Sequence, residues 1–160
     1  MDSPEDEAID VEEPVATDPE VEPAPAGSEV ADSRSRPHVI ALAAGRGGTG
    51  RSLLAANIAV YLAQTGKKVV AIDADPAGGS LHLLLGSARP PRGFGEFLRG
   101  KAEGLTQLIV DTPVAGVGLV GGEGSAFGST RPKQTAKGIL AAIAALEVDF
   151  VVLDLGPPDS

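Results

Sequence analysis

Apolar positions along this chain fall into two patterns, short unbroken runs and stripes at helical spacing. Val39 to Ala44 (VIALAA) is an unbroken run of apolar and mostly small residues, which predicts a buried parallel strand. Ser52 to Gln64 (SLLAANIAVYLAQ) carries Leu54, Ile58 and Tyr61 or Leu62 at helical spacing, with Gly66 to end the helix and Lys67 and Lys68 at its negative end. A second run, Lys68 to Ile72, closes on Asp73-Ala74-Asp75-Pro76. Beyond it, Leu81, Leu83, Leu84 and Leu85 suggest a short helix or turn, and Phe94, Phe97 and Leu98 a second small apolar face. Val117 to Val120 predicts a third strand ending at Gly121-Gly122. Gln134 to Leu146 places Ile139, Leu140, Ile143 and Leu146 on one helical face, at a small cost from Gly138. Phe150 to Leu153 then enters Asp154. The order of strand, helix, strand, short helices, strand, helix, strand predicts an α/β fold with a mostly parallel sheet flanked by helices.

Charge separates the first residues from this pattern. Of the 22 acidic residues, 12 lie in residues 1 to 36, opposed only by Arg34 and Arg36, so the net charge of −9 belongs to that segment. It also carries Pro4, Pro14, Pro19, Pro23 and Pro25 and few large apolar groups, too few to offset the entropy of ordering. Residues 1 to 36 therefore read as a disordered acidic leader, and residues 37 to 160 as the folded domain. The leader's expected role is solubility, with docking to a basic partner as the sharper alternative. It lacks the basic start and apolar run of a signal peptide, and glycine, proline or charge interrupts every apolar run short of a membrane span. With no cysteine in the chain, the expectation is a cytoplasmic location and no thiolate metal site. His38 and His82 are isolated and read as surface or partly packed residues.

The chemistry is concentrated where the first strand meets the first helix. Gly45-Arg46-Gly47-Gly48-Thr49-Gly50-Arg51-Ser52 has the spacing of a phosphate-binding loop, in which backbone N–H groups and the first helical turn wrap phosphates. Arginine stands at position 51, where that pattern has lysine. Asp154, at the end of an apolar strand, suits a Walker B carboxylate that holds Mg²⁺ beside the phosphates. With Asp73 and Asp75 it would place carboxylates at the carboxyl ends of parallel strands, next to the loop.

On these residues the chain resembles the MinD/ParA group of deviant Walker A ATPases. Their loop, KGGxGK[ST], corresponds to Arg46 through Ser52, and their hhDxDxxxxxxxL motif to Ala71-Ile72-Asp73-Ala74-Asp75 through Leu81. The LLLG, GFGEFLRG and DLGPP segments look most like the flagellar-number or MinD-like branch. The resemblance covers Pro37 to Ser160. It implies ATP and Mg²⁺ as cofactors, with Gly45 to Ser52 cradling the nucleotide and Ser52, Asp73 and Asp154 at or near the metal. It implies Asp75 as the carboxylate that positions water, Arg51 in the Walker lysine's place, and Arg46 in that of the signature lysine, which reaches across a nucleotide-sandwiched dimer. Gly156 would lie in a switch after Asp154. It further implies that later strands, and any surface for membrane or nucleoid, lie beyond Ser160.

Both family lysines are arginine here, and guanidinium is planar and forked where an ammonium is a compact point charge. The expectation is that nucleotide binding survives and that hydrolysis is slow or lost. The leading function is an ATP-driven switch and candidate ATPase that dimerises with nucleotide to position flagella, division machinery or DNA through a protein cargo. A nucleotide-stabilised scaffold without turnover is the alternative, followed by a metabolic or kinase-like enzyme on the same fold. A self-modifying tyrosine kinase would need tyrosines, and only Tyr61 is present; an iron–sulfur carrier would need cysteines. Small basic patches at Arg89, Arg92, Arg99 and Lys101, or at Arg131, Lys133 and Lys137, read as solvated faces rather than a nucleic-acid surface, with aromatic content only 3%.

Overall fold

A computed structural model describes residues 36–75, 79–122 and 133–156. Residues 1 to 35 of the acidic leader and Arg131 lie outside these residues, as does Pro76. Five strands form one sheet: β1 (His38–Leu42), β2 (Val69–Ala74), β3 (Val110–Asp111), β4 (Val117–Val120) and β5 (Phe150–Leu155), in the order β1-β5-β2-β4-β3. All neighbouring pairs are parallel except β3 with β4. The mostly parallel α/β architecture is the one expected, with β3 and a 3₁₀ turn at Leu105–Leu108 added to it.

Strand order corrects one expectation. Among the described residues β1 lies at the sheet edge with β5 as its one partner, and Val39 is 44% exposed rather than buried. The central strand β2 has neighbours on both sides, and Val69 through Asp73 are all buried.

Helices cover both faces. On one, α1 (Arg51–Gln64) and α2 (Leu81–Leu84) pack over Val69, Ala71, Val117, Leu119 and Val152. α1 presents its alanines, not its large residues: Ala55, Ala56 and Ala59 are buried, with Ile58 and Leu62 partly so, whereas Leu54 and Tyr61 are exposed. Small side chains let this helix lie close to the sheet, which sets its first turn directly above the strand ends. On the other face, α3 (Phe94–Leu98), the 3₁₀ turn and α4 (Ala136–Ala144) pack under Val70, Ile72, Val120 and Val151. Thr135 caps α4 by accepting from the Gly138 N–H at 3.1 Å. Ile143 and Leu146 are buried on its inner side and Ile139 partly so, but Leu140 turns outward and is 62% exposed.

Candidate functional site

The site forms where β1, β2 and β5 end and α1 begins. Between β1 and α1 the chain must reverse direction within a few residues, and Gly48 and Gly50 do this with left-handed φ of +76° and +79°, conformations that side chains with a Cβ disfavour. Gly50 is also the N-cap of α1, with no side-chain cap. The first N–H groups of the helix are thus left for a ligand, at the positive end of the helix dipole. Nothing lies within 4 Å of where a Cβ would stand at Gly45, Gly47, Gly48 or Gly50, so the loop borders open space. A cleft of about 440 Å³ runs beside it, lined by Gly47 to Leu53, Asp75, Ser80 and Leu84.

Arg51 is the centre of this arrangement. Its Nε donates to Asp154 Oδ1 and its Nη2 to Asp75 Oδ2 at 3.0 Å, so one guanidinium joins the first turn of α1 to the ends of two adjacent strands. The Arg51 side chain is 8% exposed, that of Asp75 16% and that of Asp154 0%. Asp154 Oδ2 is buried without a hydrogen-bond partner. Arg46, by contrast, is exposed and makes no hydrogen bond or ion pair among the described residues.

Asp73 stands beside Asp154 in the sheet register, on the same face, but its carboxylate is engaged differently. Oδ1 accepts from the Asp75 N–H at 3.3 Å and Oδ2 from the Leu81 N–H at 3.1 Å. Asp73 therefore fixes the backbone of Asp75 and the start of α2. Gly79 and Gly122 close over it; a Cβ at Gly79 would run into the carboxylate, and one at Gly122 would come within 2.9 Å. Burial pushes the Asp73 carboxyl up to about 6, against the lowering effect of the two backbone donors, and the charges of Asp154 and Asp75 add to the rise.

The described residues contain no cluster of three His, Cys, Asp or Glu suited to a metal. That composition fits Mg²⁺ all the same, because this ion keeps several waters and is commonly held by one or two carboxylates together with phosphate oxygens. The unpartnered oxygen of Asp154 is a ligand of that kind, and Ser52 in the first turn of α1 lines the adjoining cleft.

The structure brings together the loop, Arg51, Ser52, Asp73, Asp75 and Asp154. Sequence reasoning missed the cleft wall formed by Ser80 and Leu84 and the packing role of Gly79. The Gly78-Gly79-Ser80 triplet, set just after two aspartates, was the available signal.

Fold and site together define a P-loop nucleotide-binding domain. The chain belongs to the CobQ/CobB/MinD/ParA nucleotide binding domain family, whose model matches residues 40–157. It is 36% identical over 121 residues to an uncharacterized ATP-binding protein of Methanocaldococcus jannaschii, covering 72% of this chain and 43% of that protein. It is 35% identical over 126 residues to the chromosome-partitioning ATPase Soj of Thermus thermophilus, covering 78% and 48%. Among solved structures, cobyrinic acid a,c-diamide synthase of Mycobacterium smegmatis with bound ADP and magnesium superposes with a TM-score of 0.64 at 25% identity, over 76% of this chain and 51% of that one. The chain thus spans about half the length of the relatives it matches. Among the described residues no helix is long and apolar enough to cross a membrane.

Proposed function

We propose that residues 37 to 160 belong to an ATP-binding switch that dimerises with nucleotide and thereby positions a cellular structure. The observation that carries this reading is the convergence of the glycine loop, the open first turn of α1 and the carboxylates of Asp75 and Asp154 at one end of a parallel sheet. Gly45 to Ser52 would hold the phosphates through backbone N–H groups, with charge supplied by Arg51. Ser52 and Asp154 would hold Mg²⁺, with Asp73 behind them as the residue that fixes the Asp75 loop rather than as a direct ligand. The metal supplies charge neutralisation of the phosphates when bound. Arg46, exposed and uncommitted, is the residue available to reach a second copy's nucleotide. Similarity to the Thermus thermophilus partitioning ATPase favours a positioning role over metabolism.

The ion pair between Arg51 and Asp75 supports a second reading, a scaffold that binds nucleotide without turning it over. The Asp75 oxygen that accepts from Arg51 is occupied and is not free to accept from an attacking water.

Thermal unfolding with Mg-ATP, with Mg-ADP and without ligand tests binding. A nucleotide at a hundredfold excess over its dissociation constant should stabilise the fold by about 2.7 kcal/mol. ATP-specific dimerisation that Arg46→Ala abolishes would support the switch; equal dimerisation with ADP would remove it. Binding without phosphate release would select the scaffold.

A further inference from the structure

We propose that Arg51 is a built-in counter-ion that closes the divalent-cation site of the nucleotide-free protein, so that metal enters only together with an anion able to take the guanidinium in exchange. The first half rests on the geometry of this chain, and the exchange partner rests on the nucleotide-binding reading above.

Asp75 and Asp154 end adjacent strands, and their carboxylates are bridged by one planar fork. A lysine in the same loop would be a single point charge on a flexible stem. Arginine engages the two carboxylates through two nitrogens held a fixed distance apart, where an ammonium offers one. The bridge is nearly closed to solvent, with Arg51 8% exposed and Asp154 fully buried, so its charges are weakly screened.

A divalent cation reaching the buried, unpartnered Asp154 Oδ2 meets a positive charge on the other oxygen of the same carboxylate. Displacing that charge would take one of its two carboxylates from a nearly buried guanidinium, an unfavourable step where water cannot replace the lost partner. Neither step is favourable for a metal arriving alone. Phosphate changes the balance, since it offers the guanidinium a new bidentate anion in the open space beside Gly47 to Gly50. Arg51 Nη1 makes no hydrogen bond among the described residues and is the donor left to begin the exchange. Metal and nucleotide are then positively coupled through one side chain, and by reciprocity each raises the affinity for the other by the same factor.

The test is Mn²⁺ binding to the full chain by electron paramagnetic resonance, first with no nucleotide present. Wild type should bind Mn²⁺ weakly, and Arg51→Ala should bind at least about tenfold more tightly, because two carboxylates lose their counter-ion. Adding Asp154→Asn to Arg51→Ala should remove that gain. Equal Mn²⁺ affinity in wild type and Arg51→Ala would overturn the proposal, as would a gain that survives Asp154→Asn. If Arg51→Ala fails to fold, Arg51→Lys serves instead: it keeps the charge but offers one nitrogen where the bridge uses two. It should bind Mn²⁺ more tightly than wild type, and no gain would overturn the proposal. A second arm adds ADP to wild type and should raise Mn²⁺ affinity by about tenfold or more. The first arm contains no nucleotide, so its failure rejects the counter-ion role whatever ADP does. An intact first arm with no ADP binding in the second would reject the nucleotide reading and the exchange step together.

Discussion

Before β2 and β5 begin, Lys68, Glu147, Val148 and Asp149 line a cleft of about 670 Å³; where the same strands end, the cleft beside the glycine loop measures about 440 Å³. The larger hollow has ionisable side chains that are all exposed, and Asp149 Oδ2 there accepts from the Lys68 N–H at 2.7 Å, an ordinary loop contact. The smaller one is lined by a helix start without a cap, by Asp75, whose backbone the buried Asp73 holds, and by a nearly buried arginine paired with the buried Asp154. Cavity size therefore does not mark the site. What marks it is charge taken out of water and held in place, which a fold does not tolerate without compensation.

The sharpest break between the two ends is Arg51→Ala. It leaves Asp154 buried without its cation and should cost about 3 kcal/mol of stability in the absence of divalent ions, read by urea unfolding. A loss within a few tenths of a kcal/mol would show that the carboxylates at this end are no more demanding than those at the other.

The pH dependence of Asp73 sharpens the same contrast. Its carboxyl titrates near 3.8 when unfolded and is pushed up to about 6 in the native chain by burial. Between these values the native state holds the extra proton, so the Asp73 contribution to stability is greatest below the unfolded value and is lost as pH rises through about 6. The full change is about 3 kcal/mol at most. Unfolding of wild type and Asp73→Asn at about pH 4 and about pH 7 isolates it, since every other group titrates in both proteins. The advantage of wild type over the variant should shrink toward pH 7. A constant or growing advantage would mean that the backbone donors, not burial, govern this carboxyl.

Gly79→Ala should cost about 2 kcal/mol by forcing a Cβ against the Asp73 carboxylate. Gly104→Ala is the matched control, with nothing within 4 Å of its Cβ position, and should be close to neutral. Equal effects would mean that the loop after Asp75 yields easily and does not hold Asp73 in place.

Much of this was legible along the chain because it is local. The glycine loop, the helix after it and the two aspartates behind an apolar run each declare themselves within a dozen residues or so. What was not legible depends on pairing across distance. The partners of Arg51 lie 24 and 103 residues away, and no local pattern says that one guanidinium will take both. The exposure of Val39 goes with β1 being outermost among the described residues, a property of strand order and not of the strand. α1 is apolar nearly all round, so spacing alone did not tell that the alanines face the sheet while Leu54 and Tyr61 face outward. Asp73 and Asp75 look equivalent in the sequence; burial and two backbone donors make one a fixing point for the loop and leave the other at the cleft.

The smallest effect belongs to the far end of the sheet. Asp149→Ala removes the acceptor for the Lys68 N–H, in a place where water can replace it, and should cost about 1 kcal/mol or less. Mn²⁺ and nucleotide binding should not change, because the β5 residues Phe150 to Leu153 separate Asp149 from Asp154. The comparison depends on that second measurement more than on the first. If Asp149→Ala weakened nucleotide binding as strongly as Arg51→Ala, the larger cleft would be part of the ligand site, and buried charge would no longer separate the two ends. Unchanged binding in Asp149→Ala beside a large loss in Arg51→Ala would place the ligand where the helix begins and the charges are buried.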